Sequence, residues 1–136
     1  MRAVLDTNLF LSALLSPTGP PAAIVDAWRK GRFELVTSRE QLAELRRAAG
    51  YEKLRALIPR ASVGRLVNVL RTAEILLKRL RHPGASPDPG DDYLLAMATA
   101  ADADYLVTGD RALLSVRHLA HTRIVTPRRF AALLPD

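Results

Sequence analysis

The chain has 136 residues, 49% of them hydrophobic, enough for one core of ordinary domain size and too apolar for intrinsic disorder. Twenty Lys and Arg against fourteen Asp and Glu give a charge of +6, mostly arginine, whose planar fork suits a polyanionic partner rich in phosphate. The absence of cysteine excludes disulfides, thiolate zinc sites and thiol catalysis, so any metal must sit on oxygen or histidine.

No apolar run approaches the roughly 18 residues of a membrane span, and Asp6 and Asn8 interrupt the first one before a secretory signal forms. The expectation is one soluble, cytoplasmic domain over residues 1–136 without membrane association. Arg2 to Leu5 reads as a first strand, followed by a short helix from Leu9 to Leu15 that Ser16-Pro17-Thr18-Gly19-Pro20 stops. A second helix carries Ala23, Ile24, Ala27 and Trp28, with Pro21 near its first turn and Gly31 as its C-terminal cap. Phe33 to Thr37 is the second strand, and Ser38 with Gln41 signals a capping box for the helix bearing Leu42, Glu44 and Leu45.

Tyr51 to Ile58 continues helically before Pro59. From Ser62 to about Leu80 the apolar positions Val63, Leu66, Val67, Leu70, Ala73, Leu77 and Leu80 recur at helical spacing, which predicts the longest helix. His82 to Gly90, with three prolines and two glycines in nine residues, is a loop. Asp91-Asp92 opens a helix to about Ala101, Tyr105 to Thr108 is a strand, Gly109-Asp110 turns into a short helix at Leu113-Leu114, and Arg123 to Thr126 is a last strand. Alternating β and α runs of this kind indicate βα units around a parallel sheet.

In such a sheet ligands bind outside the carboxyl ends of the strands. Asp6 ends one strand, Asp110 follows another, and Glu44 and Asp92 lie in the first or second turn of helices that begin near the same edge. Each has an ordinary local role open to it: an Asx turn or helix cap for Asp6, Asp92 and Asp110, and a pair with Arg47 for Glu44. Together they form a carboxylate set suited to Mg²⁺ or Mn²⁺. Thr7 and Asn8 are placed to orient Asp6, and Thr108 to hydrogen-bond a water or phosphate oxygen, with main-chain capping as the equal alternative. His82, His118 and His121 have no metal-ligand spacing, Ser12, Ser16 and Ser115 lack a nucleophile-elbow context, and Gly84-Ala85-Ser86 lacks the lysine of a P-loop.

The strings Val4-Leu5-Asp6-Thr7-Asn8, Glu34-Leu35-Val36-Thr37-Ser38 with Glu44 following, Asp88-Pro89-Gly90-Asp91-Asp92-Tyr93-Leu94-Leu95-Ala96 and Ala103-Asp104-Tyr105-Leu106-Val107-Thr108-Gly109-Asp110 resemble the PIN-domain family of nucleases along essentially the whole chain. Gly19-Pro20-Pro21 is similar to the branch described as toxins of toxin-antitoxin systems. The resemblance implies a three-layer α/β/α sandwich with a central parallel sheet. It also implies catalytic and metal-binding roles for Asp6, Glu44, Asp92 and Asp110, with Asp91 as the second choice for the third position. The implied activity is hydrolysis of RNA by a Mg²⁺- or Mn²⁺-dependent endoribonuclease, with a small antitoxin protein as partner and assembly as a homodimer or higher oligomer. The alternative is a catalytically silent nucleic-acid- or antitoxin-binding module. An aspartyl-phosphate enzyme of the haloacid dehalogenase type needs a second aspartate two residues after the first, and Asn8 stands there.

Overall fold

A computed structural model of the chain describes residues 1–80 and 92–135. Its sheet contains β1 (Arg2–Leu5), β2 (Glu34–Ser38), β3 (Ile75–Leu77), β4 (Tyr105–Val107), β5 (His118–Leu119) and β6 (Thr122–Val125), in the spatial order β3-β2-β1-β4-β6-β5. All neighbours are parallel except the two-residue β5, which runs antiparallel along β6 at one edge. The helices are α1 (Thr7–Leu15), α2 (Pro20–Arg29), α3 (Arg39–Ala49), α4 (Glu52–Arg55), α5 (Arg60–Leu70), α6 (Asp92–Ala100), α7 (Arg111–Val116) and α8 (Pro127–Leu133).

Strand alternation sorts the core into two layers. Ala3 and Leu5 of β1, Leu35 of β2 and Val107 of β4 meet Leu9, Phe10, Ile24, Leu45, Leu70 and Phe130 on one face. Val4, Val36 and Leu106 point the other way, onto Leu94, Leu95, Met97 and Leu113 of α6 and α7. With helices on both faces, the chain is an α/β protein with a mostly parallel central sheet, as the alternating pattern predicts. No helix among the described residues is long and apolar enough to cross a membrane.

Local signals account for most element ends. Gly31, at φ +77, lets the N–H groups of Gly31 and Arg32 return to Trp28 (2.8 Å) and Ala27 (3.0 Å), a Schellman ending for α2. Ser38 caps α3 by accepting from the Gln41 N–H at 3.0 Å.

Two readings of the sequence are corrected. The helix expected from Ser62 to Leu80 ends at Leu70, where the N–H groups of Thr72 and Ala73 bond back three residues to Val69 and Leu70. Ile75 to Leu77 then pair with Val36 to Ser38 as an edge strand. Helical spacing at Leu77 and Leu80 is a coincidence of an aliphatic run, since three strand residues are too few to display alternation. What fixes the switch is Glu74: its carboxylate accepts from Trp28 Nε1 (3.1 and 3.0 Å) and from the Leu35 N–H (3.1 Å), tying the start of β3 to α2 and β2. The second correction is α8, not expected from the sequence, which opens with Thr126 capping the Arg129 N–H (3.2 Å), carries Pro127 in its first turn and buries Phe130 edge-on to Phe33 and Tyr105.

Candidate active site

β1 lies at the centre of the order, with β2 and β3 wound to one side and β4 and β6 to the other. The carboxyl ends of β1 and β4 therefore flank the point where the winding reverses, the usual ligand crevice of an open α/β sheet. Asp6 and Thr108 are the residues that follow these two strands.

The ladder continues one step past β1, because the Asp6 N–H donates to Val107 O at 2.9 Å. Asp6 then caps α1: its Oδ1 accepts from the Asn8 N–H at 3.0 Å, and its Oδ2 accepts from the Thr108 hydroxyl at 2.6 Å. The same Thr108 oxygen accepts from the Asp110 N–H at 3.0 Å, while Asp110 Oδ1 caps α7 through the Ala112 N–H at 2.7 Å. One hydroxyl thus joins the two carboxylate-bearing turns. Asp6 is only 6% exposed, yet no cationic side chain among the described residues pairs with it. A buried carboxylate without a counter-charge is costly. With two of about four acceptor sites in use, it retains lone pairs for a hard cation, which is the group that the donor chemistry here fits.

Glu44, in the second turn of α3, is half-buried and holds Arg47 of the same helix through Nε at 3.0 Å and through Nη2. This hydrogen bond, and then the carboxylate charge, push the Arg47 guanidinium above its ordinary value. The pair is largely solvated on the arginine side and restrains Glu44 weakly. Asp92 is the first residue of α6, and its side chain, like all of Asp91 and the loop from His82 to Gly90, lies outside the described residues. Among the described residues no three of His, Asp and Glu come close enough together to hold a metal ion. His118 is exposed, and His121 pairs with Asp102 at 3.0 Å on the surface.

Sequence reasoning missed the polar network beneath this edge. Gln41, fully buried, donates through Nε2 to Leu5 O at 2.6 Å and, more weakly, to Thr7 Oγ1 at 3.4 Å, and accepts from the Thr37 hydroxyl at 2.7 Å. Thr7 Oγ1 in turn shares a 2.6 Å hydrogen bond with the Tyr93 hydroxyl. The residue after Asp6 is thereby tied to the residue after Asp92, and both to the first turns of the helix that carries Glu44. Asn8 sits at the exposed rim and contributes its main-chain N–H. The one available signal was a glutamine on the apolar side of α3, which the capping-box reading had assigned to the helix end instead.

An uncharacterized protein of Methanocaldococcus jannaschii is 24% identical over 139 residues, an alignment that covers 96% of this chain and 89% of that protein. The PIN domain matches residues 2–112, a span that holds Asp6, Glu44, Asp92 and Asp110. On that match, over most of its length and including both strands of the crevice, the chain belongs to the PIN-domain family, a family of nucleases that generally depend on divalent metals.

Proposed function

We propose that the protein is a Mg²⁺- or Mn²⁺-dependent endoribonuclease, and that it acts as the toxin of a toxin-antitoxin pair restrained by a small antitoxin protein. The observation that carries the nuclease reading is the buried, uncompensated Asp6 carboxylate at the winding reversal, joined through Thr108 to Asp110. The toxin assignment rests on the resemblance around Gly19-Pro20-Pro21.

In this reading Asp6, Glu44, Asp92 and Asp110 would hold the cation, which would supply positive charge at the phosphate and acidify an attacking water. Asp6 and Asp110 are set rigidly by strand ends and their helix caps. Glu44 would exchange its weak partner Arg47 for the site, and α6, whose first residue is Asp92, is anchored to Thr7 through Tyr93. Thr108 keeps Asp6 aimed by donating to the carboxylate oxygen that would otherwise turn away.

The test is cleavage of total RNA by wild type and Asp6→Asn with Mn²⁺ and in excess EDTA, alongside thermal melting. Asn keeps the oxygen that receives the Asn8 N–H and loses the charge. Cleavage is expected to fall by more than about 100-fold, since even the partners of metal ligands are worth about 10–100-fold, with the melting temperature nearly unchanged. Undiminished cleavage by folded Asp6→Asn removes Asp6, and equal cleavage in EDTA removes the metal. No cleavage by wild type with Mn²⁺, or with Mg²⁺ in its place, leaves the silent binding module.

A further inference from the structure

A surface groove follows the contact between α3 and α5. Near the start of α3 it is bordered by Arg39, Arg46 and Arg71 above Leu42, Val67 and Leu76. Farther along it is bordered by Arg46, Arg55 and Arg60 above Ala49, Ile58 and Val63. Arg46 lines both stretches, so they form one trough, and no acidic residue among the described residues lines either. The five arginines are exposed, and none has a carboxylate partner among the described residues, in contrast to Arg47, which faces Glu44. Arg39 directly follows Ser38, the last residue of β2, so the trough opens at the sheet edge that carries Asp6 and Asp110.

Five unpaired guanidinium groups along one depression repel one another until an anion lies between them. Arg39 and Arg46 stand seven helical residues apart, about 10 Å along the axis, a reach that spans more than one phosphate of a nucleic-acid strand. The floor is aliphatic and offers no ring for base stacking, so contacts here are to the backbone and independent of base sequence. An acidic protein segment would also meet the charges, and competition with polyglutamate separates it; the opening of the trough at the edge that carries the proposed nuclease site favours a nucleic-acid strand. We propose that this groove carries the backbone of a single-stranded RNA leading to or from the site at Asp6. The proposal rests on the nuclease reading for its direction and extends it to a path for the substrate.

The test uses the full chain in EDTA, where nothing is cut, and a fluorescein-labelled 20-nucleotide uridine RNA, with anisotropy titrations at several KCl concentrations. R46Q/R71Q is expected to bind about 10-fold more weakly and to lower the slope of log affinity against log salt by about 1.4, at about 0.7 per phosphate contact on a single strand. R128Q/R129Q, exposed on α8 and outside the groove, should stay within about twofold of wild type by the same counterion argument. If R46Q/R71Q melts early, R55Q/R60Q reads the same groove. The proposal is overturned if the groove and control pairs lose affinity equally, if wild type does not bind the RNA, or if polyglutamate displaces the RNA as well as unlabelled RNA does, which would give the groove to an acidic protein. Binding through the groove without cleavage in Mn²⁺ would defeat the nuclease reading alone, and unchanged binding by R46Q/R71Q with cleavage intact would defeat the groove alone.

Discussion

Thr108 uses both halves of its hydroxyl, donating to Asp6 Oδ2 and accepting from the Asp110 N–H. Thr108→Val keeps the shape of the side chain and strands both partners, so stability should fall by about 1–3 kcal/mol. Thr108→Ser keeps the hydroxyl and removes one buried methyl, at about 1 kcal/mol. Thermal melting and cleavage measured together should show Thr108→Ser retaining activity and Thr108→Val losing it; equal activity of the two variants would leave Thr108 a packing residue only. Asp6, Thr108 and Asp110 were legible in the sequence because each stands at the end of an apolar run, and the end of a strand is a place that pattern alone can locate. Gln41, Thr37 and Tyr93 were not. Their partners come from β1, α1, β2 and α6, and a buried polar network assembled from separate elements leaves no spacing to read. The caps on Asp6 and Asp110 and the Glu44–Arg47 pair are the ordinary roles weighed from sequence, and they hold alongside the shared edge rather than against it.

The strands at the centre of the sheet were legible because each holds a short block of apolar residues, Ala3-Val4-Leu5, Leu35-Val36, Tyr105-Leu106-Val107 and Ile124-Val125, bounded by polar residues. The edge strand β3 was hidden by its length and half-buried character, and its position depends on one contact between elements, Glu74 with Trp28 and Leu35. Trp28 is the chain's single tryptophan, 5% exposed, so its fluorescence reports this junction alone. Glu74→Ala should shift the emission to the red and lower stability by about 1 kcal/mol or more as the indole N–H loses its acceptor. Glu74→Gln, which keeps one acceptor oxygen, should sit between the two. An unshifted spectrum in Glu74→Ala would mean that β2 and α2 hold Trp28 without β3.

For the whole molecule, the expectation of self-association rests on the family resemblance and on the apolar content of residues 9–15 and 20–30. Much of it is already covered within one chain: Leu9, Phe10, Leu11, Ile24 and Trp28 are buried, whereas Leu15 remains 44% exposed beside the half-buried Leu14. The proposed homodimer or higher oligomer therefore has the outer rim of α1 and α2 to work with. Light scattering is expected to give at least twice the 14.9 kDa of one chain, and Leu15→Lys to lower it by placing a charge in the contact. A mass of one chain at every concentration would remove the oligomer. The arginine surplus would act at the same scale, drawing the proposed RNA toward the molecule before any single contact forms.

The first strand of the chain is the middle strand of the sheet, and it pairs with β4 across about a hundred residues: Ala3 with Tyr105, Leu5 with Val107. During synthesis at about 5–20 residues per second, β1 waits on the order of 5–20 s for that neighbour to be made. Until then Asp6 has neither the Val107 carbonyl nor the Thr108 hydroxyl that orient it. Long-range parallel pairing of this kind forms late in folding. On the proposed nuclease reading, the crevice is incomplete while the chain is nascent, since its two halves meet only once β4 has been made.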